Sequence, residues 1–315
     1  MTALGTVRRS IFGIAEPRKV FSRPGFAPEG WGRFAPVIES LALGYNITLE
    51  NSSPSVLVPR LEAVDPALHG FAYEGAAMGL GVLDVIAPGK RRVGAFATGP
   101  GAHHMATVYV GFGLALARLR RQPEKYLEQL DPVLGWVVVD GYGFHEGFFA
   151  RRRSIGKQLQ PAHLSDTGRE LFDQGLGRSI WFSSGAGIAC VAETISSFAP
   201  ERQANLWTGA AMACSFAGGT DRAGLEQVRQ AAGAHRLRLR WAAAAAAWTR
   251  GLAQNPTPHT DQACEMFAEI SSSDAARVLE KARRELAGNS SSASYRTWRE
   301  TCIQKLLSEA CGRTK

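Results

Sequence analysis

The stretch DPALHGFAYEGAAMGLGVLD, residues 65–84, begins with an Asp-Pro pair and continues through small and apolar residues that surround one carboxylate, Glu74. Proline is tolerated in the first turn of a helix because the N–H that it lacks would be unpaired there, and an aspartate just before it can cap that turn. The stretch therefore predicts an apolar helix with a single acid inside it.

Two later stretches repeat this pattern. They are DPVLGWVVVDGYGFHEGFF, residues 131–149, and APERQANLWTGAAMACSFAGG, residues 199–219. In all three stretches a proline is followed nine residues later by a glycine, and the residue before that glycine is Glu74, Asp140 or Thr208. The prolines are 66 and 68 residues apart, and the glycines are separated by the same intervals. A fixed period of this length indicates a repeat architecture.

Each copy is followed by a second segment of small residues. These segments are YVGFGLALARL from residue 109, SSGAGIACVAETI from residue 183 and WAAAAAAWTRGL from residue 241. Glycine costs about 1 kcal/mol relative to alanine inside a helix, a cost that is tolerable where it lets two helix backbones approach closely. The sequence thus predicts an all-α fold of tandem helical hairpins, about 67 residues per repeat. Such repeats form a solenoid or an α/α ring with a concave inner cavity.

The chain divides into three predicted parts. Residues 1–32, which contain Pro17, Pro24 and Pro28, are predicted to be an irregular N-terminal arm. Residues 33–287 form the helical repeat domain, and no run of alternating apolar and polar residues indicates a strand. Residues 288–315 are predicted to be a linker and a final amphipathic helix, which either covers an end of the array or docks a partner.

Composition narrows the class of protein. Of the 315 residues 45% are hydrophobic, enough for a large core, but every uncharged apolar run is shorter than the ~20 residues of a spanning helix. The net charge is +8, yet the basic residues are scattered without interleaved aromatics, so nucleic acid is a disfavoured partner. An Arg-Arg pair at residues 8–9 resembles a twin-arginine signal, but Glu16 and Pro17 end the apolar stretch early; we therefore expect a cytoplasmic protein.

Glu74 and Asp140 are the first candidates for chemistry because they occupy equivalent repeat positions. If both point into one cavity, desolvation and mutual repulsion would raise the pKa of at least one of them and place a proton donor beside a base. The alternative is structural: each acid accepts hydrogen bonds from the N-terminus of a neighbouring helix and ties successive helix pairs together, a role expected of Thr208 in the third copy. The spacing leaves both interpretations open.

Three further residues are weaker candidates. His145 and Glu146 follow Asp140 on the same predicted helix. One helix cannot direct all three side chains into the same cavity, because they lie on different faces. His104, in the glycine-rich turn ATGPGAHHM, is either an acid–base partner at the cavity mouth or a helix cap. GxSxG, HExxH, DDxxD and paired CxxC motifs are all lacking, and no GxGxxG follows a predicted strand, so we predict no metal and no cofactor.

Five segments together resemble a bacterial protein family, domain of unknown function 1702, over residues 33–269. They are GFAYEGAAMGLGVLD, LDPVLGWVVVDGYGFHEGFF, DQGLGRSIWF, LWTGAAMACSFAGG and NPTPHTDQAC. Its members look like the small UnbL-type protein encoded beside the polyketide synthase of enediyne antibiotic clusters. The resemblance implies a role in antibiotic biosynthesis, in the maturation of a linear conjugated polyene into an enediyne core or a related secondary metabolite. It assigns no reaction and no catalytic residue.

These observations lead to two functional hypotheses. In the first, the protein binds a linear polyene-derived intermediate and isomerises or cyclises it by acid–base chemistry without a cofactor. In the second, it is a noncatalytic scaffold or chaperone for a biosynthetic synthase or a membrane redox partner. A deep aromatic cavity favours the first hypothesis, and an open charged groove favours the second. The residues predicted to line the cavity are Phe71, Tyr73, Met78, Trp136, Tyr142, Phe144, Trp181 and Trp207.

Overall fold

The computed structural model describes residues 3–287 and 295–313, and every regular element in these two ranges is helical. The all-α prediction is thereby confirmed. The α-helices are α1 (Ala3–Phe12), α2 (Gly30–Glu50), α3 (Pro54–Glu62), α4 (His69–Ile86), α5 (Arg92–Thr98), α6 (Met105–Arg118), α7 (Val137–Phe149), α8 (Asp166–Ser183), α9 (Ile188–Ser196), α10 (Pro200–Ala217), α11 (Arg222–Ala232), α12 (Arg236–Leu252), α13 (Pro258–Ala263), α14 (Ser272–Ala287) and α15 (Tyr295–Arg313).

The long helices pack in chain order. Each long helix lies against the next one in the order α2, α4, α6, α7, α8, α10, α12 and α14, while shorter helices occupy several of the connections. The C-terminal part of this series also contacts the short 3₁₀ turn Pro66–Leu68, which leads into α4. Arg250 Nη1 donates to the carbonyl of Ala67 at 2.7 Å, and Asn255 Nδ2 donates to the carbonyl of Pro66 at 2.9 Å. Helix α12 and the turn after it therefore meet the first turn leading into α4.

Of the two predicted caps, Asp65 stands at the N-cap of a helical turn, whereas Asp131 accepts hydrogen bonds in the turn before one. Asp65 accepts a hydrogen bond from the backbone N–H of Ala67 at 2.8 Å. Asp131 accepts from the backbone N–H groups of Val133 and Leu134 at 2.9 and 2.8 Å. Asp65 caps the 3₁₀ turn Pro66–Leu68 that leads into α4, whereas the hydrogen bonds of Asp131 close the turn before the 3₁₀ helix Leu134–Trp136, which leads into α7.

Glycines let successive helices touch through their backbones. A Cβ atom on Gly75 in α4 would overlap the carbonyl oxygen of Leu41 in α2, and one on Gly44 in α2 would overlap that of Ala72 in α4. This reciprocal contact recurs between α6 and α7, between α7 and α8, and between α8 and α10. The glycine pairs are Gly113 with Gly141, Gly143 with Gly175, and Gly177 with Gly209. Close backbone contact is the physical reason for the small-residue periodicity.

Gly-x-Gly motifs in α6, α7 and α8 also orient the helices. In α7, Gly141 meets the preceding helix and Gly143 meets the following one. At 100° per residue the two glycines lie on opposite flanks, so the residue before the motif and the residue within it point to opposite sides of the packed layer. The residues before the motifs are Val110, Asp140 and Gln174, and Glu74 holds the same place before Gly75 in α4.

The N-terminal segment differs from the expected irregular arm. It begins with α1, which lies against α2 because Gly5 lets its backbone rest on the carbonyl of Glu50 and Arg9 pairs with the Glu50 carboxylate. The apolar residues Leu4 and Ile11 of α1 are exposed. At the other end, α15 packs on α12 and α14. The predicted linker, residues 288–294, lies outside the described residues.

Candidate functional site

A small cavity lies among α4, α6, α7, α8, α10, α12 and α15. The centre of a water molecule has about 70 Å³ in which to move. Most of the lining is apolar: Phe71, Ala106, Val110, Leu134, Val137, Phe182, Met212, Ala213, Phe216, Ala217, Ala245, Ala246, Trp248 and Trp298. The polar lining residues are Glu74, Thr107, Asp140, Gln174, Arg178, Thr249 and Tyr295.

One guanidinium faces both predicted carboxylates. Arg178 Nη1 donates to Asp140 Oδ1, and Arg178 Nη2 lies 3.9 Å from Glu74 Oε2. Gln174, one helical turn before Arg178, donates to Asp140 Oδ2 at 2.7 Å and to the Tyr295 hydroxyl at 3.3 Å. Asp140 thus accepts hydrogen bonds on both oxygens, whereas Glu74 stands beyond hydrogen-bond distance from Arg178.

Glu74 is an acid with an unusual environment. The residue is only 2% exposed, and this burial raises its pKa; Arg178 opposes the rise and Asp140 adds to it, with the result that the pKa of Glu74 is about 7. A group with this pKa is present in both protonation states near neutral pH. Glu74 is therefore suited to donate a proton and to take one back.

Arg178 and Tyr295 keep their ordinary charge states. Burial opposes the charged form of Arg178, but Asp140 and Glu74 more than offset this effect, so the pKa of the guanidinium lies above its ordinary value. Burial also raises the pKa of the Tyr295 phenol to about 12. The site consequently holds one fixed cation, one paired carboxylate and one carboxyl group that can titrate.

Aromatic rings surround these charges. The guanidinium carbon of Arg178 lies 5.1 Å from the ring centre of Phe144. The ring centres of Phe71 and Phe216 are 5.2 Å apart, and those of Trp248 and Trp298 are 5.3 Å apart. These rings present electron-rich faces, which attract a positive charge in a water-poor space.

The structure brings only some of the predicted polar residues together. Glu74 and Asp140 line the cavity, as described, but Thr208 at the equivalent position of α10 donates to the carbonyl of Ala204 in its own helix. His145 lies 3.7 Å from Glu146, and neither lines the cavity. Burial lowers the pKa of His145, and Glu146 partly opposes this. His104 belongs to a different cluster.

The predicted aromatic lining is similarly divided. Phe144 contacts Arg178 from outside the cavity wall. Tyr73 stacks on His104, and Tyr142 faces His163 edge-on. The indole N–H of Trp181 donates to the carbonyl of Gly218 at 3.0 Å. Met78, Trp136 and Trp207 are not among the described residues that line the cavity.

Sequence reasoning missed Gln174, Arg178, Tyr295 and Trp298. A signal existed for the first two: Gln174 precedes a Gly-x-Gly motif just as Asp140 does, and Arg178 lies one turn further on the same face. No comparable signal marks Tyr295 and Trp298. They belong to α15, outside the repeated stretches, and reach the cavity only through the packing of that helix.

Comparison with known proteins gives a family for the chain. A family model described as "Protein of unknown function (DUF1702)" matches residues 3–306. The chain belongs to the DUF1702 family. No curated protein and no solved structure matches this DUF1702 chain. The matched range extends from α1 into α15 and includes every residue that lines the cavity, and among the described DUF1702 helices none combines the length and apolarity needed to cross a bilayer.

The pKa of Glu74 predicts a pH dependence of stability for this DUF1702 protein. The folded-state pKa of about 7 lies above the ordinary value of 4.5, so the folded chain binds more protons than the unfolded chain between these pH values. The free energy of unfolding of wild type, relative to Glu74→Gln, should therefore fall as pH rises from 4.5 to 7 and level off above 7. Urea unfolding of both proteins from pH 4.5 to 8 measures this difference. A constant difference would show that Glu74 does not titrate in this range.

Proposed function

We propose that this DUF1702 protein binds a linear polyene-derived intermediate and isomerises or cyclises it by acid–base chemistry without a cofactor. One observation carries the proposal: a buried carboxyl group with a pKa of about 7, Glu74, stands beside the Asp140–Arg178 ion pair in a mainly apolar cavity. We further propose that the packed hairpins form a repeat array around this cavity. The proposed setting in enediyne or related polyketide biosynthesis rests on the family resemblance, and the proposed cytoplasmic location rests on the early end of the apolar stretch at Glu16 and Pro17.

The proposed isomerisation uses Glu74 twice. Protonated Glu74 gives its proton to one carbon of the conjugated chain, which forms a carbon–hydrogen bond and leaves a delocalised cation. The Glu74 carboxylate then takes a proton from another carbon, whose electrons restore a double bond at a new position. For cyclisation, a second double bond attacks the cation and forms a carbon–carbon bond before the proton is lost. In both reactions the proton that Glu74 gives to the polyene is matched by the proton that its carboxylate takes back.

The surrounding residues support these steps. Asp140 holds Arg178 in place and offsets its charge, so a cation can form nearby at lower cost. The rings of Phe71 and Trp298 line the same space and stabilise positive charge through their faces. Gln174 Oε1 is buried with no hydrogen-bond partner among the described residues, which leaves an acceptor for a polar group of the ligand.

The test supplies the purified protein with the polyene released by a cognate polyketide synthase. We expect wild type to shift the absorbance spectrum as the conjugation changes, and Glu74→Gln to bind the polyene with at least a hundredfold slower conversion, the scale of a lost general acid. Asp140→Asn should also slow the reaction. Glu201→Gln, at an exposed position on the cavity-lining helix α10, is the matched control and should convert normally.

Two results would reject the catalytic proposal. The first is an unchanged spectrum with wild type and all variants, with no ligand copurifying with the protein; a scaffold role would then replace catalysis. The second is equal conversion by wild type and Glu74→Gln, which would leave the carboxyl group without a chemical role.

A further inference from the structure

A second cluster of polar side chains lies apart from the cavity. Glu62 is the last residue of α3, His69 is the first residue of α4, and His104 ends the 3₁₀ turn before α6. One ligand atom from each of these three residues lies within 4.8 Å of the other two. Glu62 and His69, seven residues apart in the chain, thus converge with His104, which lies 35 residues after His69.

The hydrogen bonding of His69 fixes which of its nitrogens is available. His69 Nε2 lies 2.8 Å from the carbonyl oxygen of Val64, and because a carbonyl can only accept, Nε2 carries the hydrogen. In the neutral ring Nδ1 then presents its lone pair, and it lies 3.4 Å from Glu62 Oε2. Two electron-rich atoms at this distance require a proton or a cation between them.

His104 is held in a form that can bind a cation. Its side chain is 6% exposed, and Nδ1 is buried with no hydrogen-bond partner among the described residues. Its ring stacks on Tyr73 with centres 4.0 Å apart. A ring nitrogen without a protein partner can present its lone pair to a cation.

Tyr73 orients the carboxylate of the cluster. Its hydroxyl donates to Glu62 Oε1 at 2.5 Å, and the other carboxylate oxygen faces His69. In metal sites the ligand residues are held in this way by hydrogen bonds with surrounding groups. Here the backbone carbonyl of Val64 holds His69, and the Tyr73 hydroxyl holds Glu62.

We propose that Glu62, His69 and His104 bind a divalent first-row transition-metal ion. Two imidazoles and one carboxylate form a donor set used by Zn²⁺ and by non-haem Fe²⁺. Glu62 is partly exposed, so the ion has a side open to solvent. The spacing of these ligands, seven and 35 residues, matches no metal-binding sequence motif, so the sequence alone does not mark the site.

Zn²⁺ titration of the full-length, chelator-treated protein tests the site. We expect one ion per chain and a higher melting temperature with Zn²⁺ present. Co²⁺ serves as a second probe because thiolate ligands give intense charge-transfer absorption that histidine and carboxylate ligands do not. This distinguishes the proposed site from adventitious binding at the exposed Cys190 and Cys311.

Two variants and one control make the test specific. Glu62→Gln and His69→Gln should each weaken Zn²⁺ binding by at least tenfold, the scale found even for residues that only support metal ligands. Glu62 is half-exposed, so its variant should fold normally, as circular dichroism can verify. His103→Gln, at the exposed histidine next to His104, should bind Zn²⁺ like wild type. The proposal is overturned if wild type binds no ion, or if Glu62→Gln and His103→Gln bind it equally well.

Discussion

Arg178→Met is expected to destabilise the folded protein by about 3–5 kcal/mol, the cost of removing one partner from a buried ion pair. Arg178 is the cation that faces both Asp140 and Glu74, and the two carboxylates are 1% and 2% exposed. Without the guanidinium, Asp140 keeps only the hydrogen bond from Gln174 and must be buried as an uncompensated charge. Urea unfolding of wild type and variant at pH 7 measures the loss.

A matched control and a rescue variant separate the charge effect from packing. Arg169→Met replaces an exposed arginine on the same helix, α8, and should change stability by less than about 0.5 kcal/mol. Adding Asp140→Asn to Arg178→Met removes the stranded charge, so the double variant should be more stable than Arg178→Met alone. If the double variant were less stable by the sum of both single losses, the two residues would not interact as described.

Gly141→Ala is expected to cost about 3 kcal/mol, the upper end of the range for overpacking. An added Cβ would overlap the carbonyl oxygen of Val110, and backbone atoms cannot move aside as a flexible side chain can. Helices α6 and α7 must separate to accommodate one methyl group. Chemical denaturation of the variant measures this cost.

Gly94→Ala gives the opposite prediction for the same chemical change. Gly94 lies inside α5, and an added Cβ there would meet nothing within 4 Å. Alanine should therefore stabilise the protein by about 0.5–1 kcal/mol, the difference in helix propensity. Equal effects of the two substitutions would show that close helix contact does not explain the repeated glycines.

The repeated sequence pattern explains which helices and which site residues could be predicted. The recurring Pro and Gly positions indicated the helices, and the placement of Glu74 and Asp140 at equivalent positions pointed to a shared location. Arg178 was missed because an arginine on a helix is usually exposed, although it lies one turn after Gln174 on the same face. Tyr295 reaches the cavity, and His104 reaches Glu62 and His69, only through contacts between separate segments, which no spacing rule within one segment can express.

Helix α1 shows a different limit of structure prediction from sequence. Prolines at positions 17, 24 and 28 are concentrated after α1, and they led to a prediction of irregular structure for all of residues 1–32. Proline restricts its own residue and the one before it, however, and it does not prevent a helix several residues earlier. The helix Ala3–Phe12 forms in the proline-free part of that segment.

Incorporation of deuterium from D₂O into the polyene product tests the proposed acid–base chemistry most directly. The isomerisation adds a proton from Glu74 to carbon, so a reaction run in D₂O should place deuterium on the product, and mass spectrometry detects it. We predict deuterium incorporation with wild type and Glu201→Gln and its loss with Glu74→Gln. Product formed by wild type without deuterium, or with as much deuterium in Glu74→Gln, would contradict the assignment of Glu74 as the proton donor.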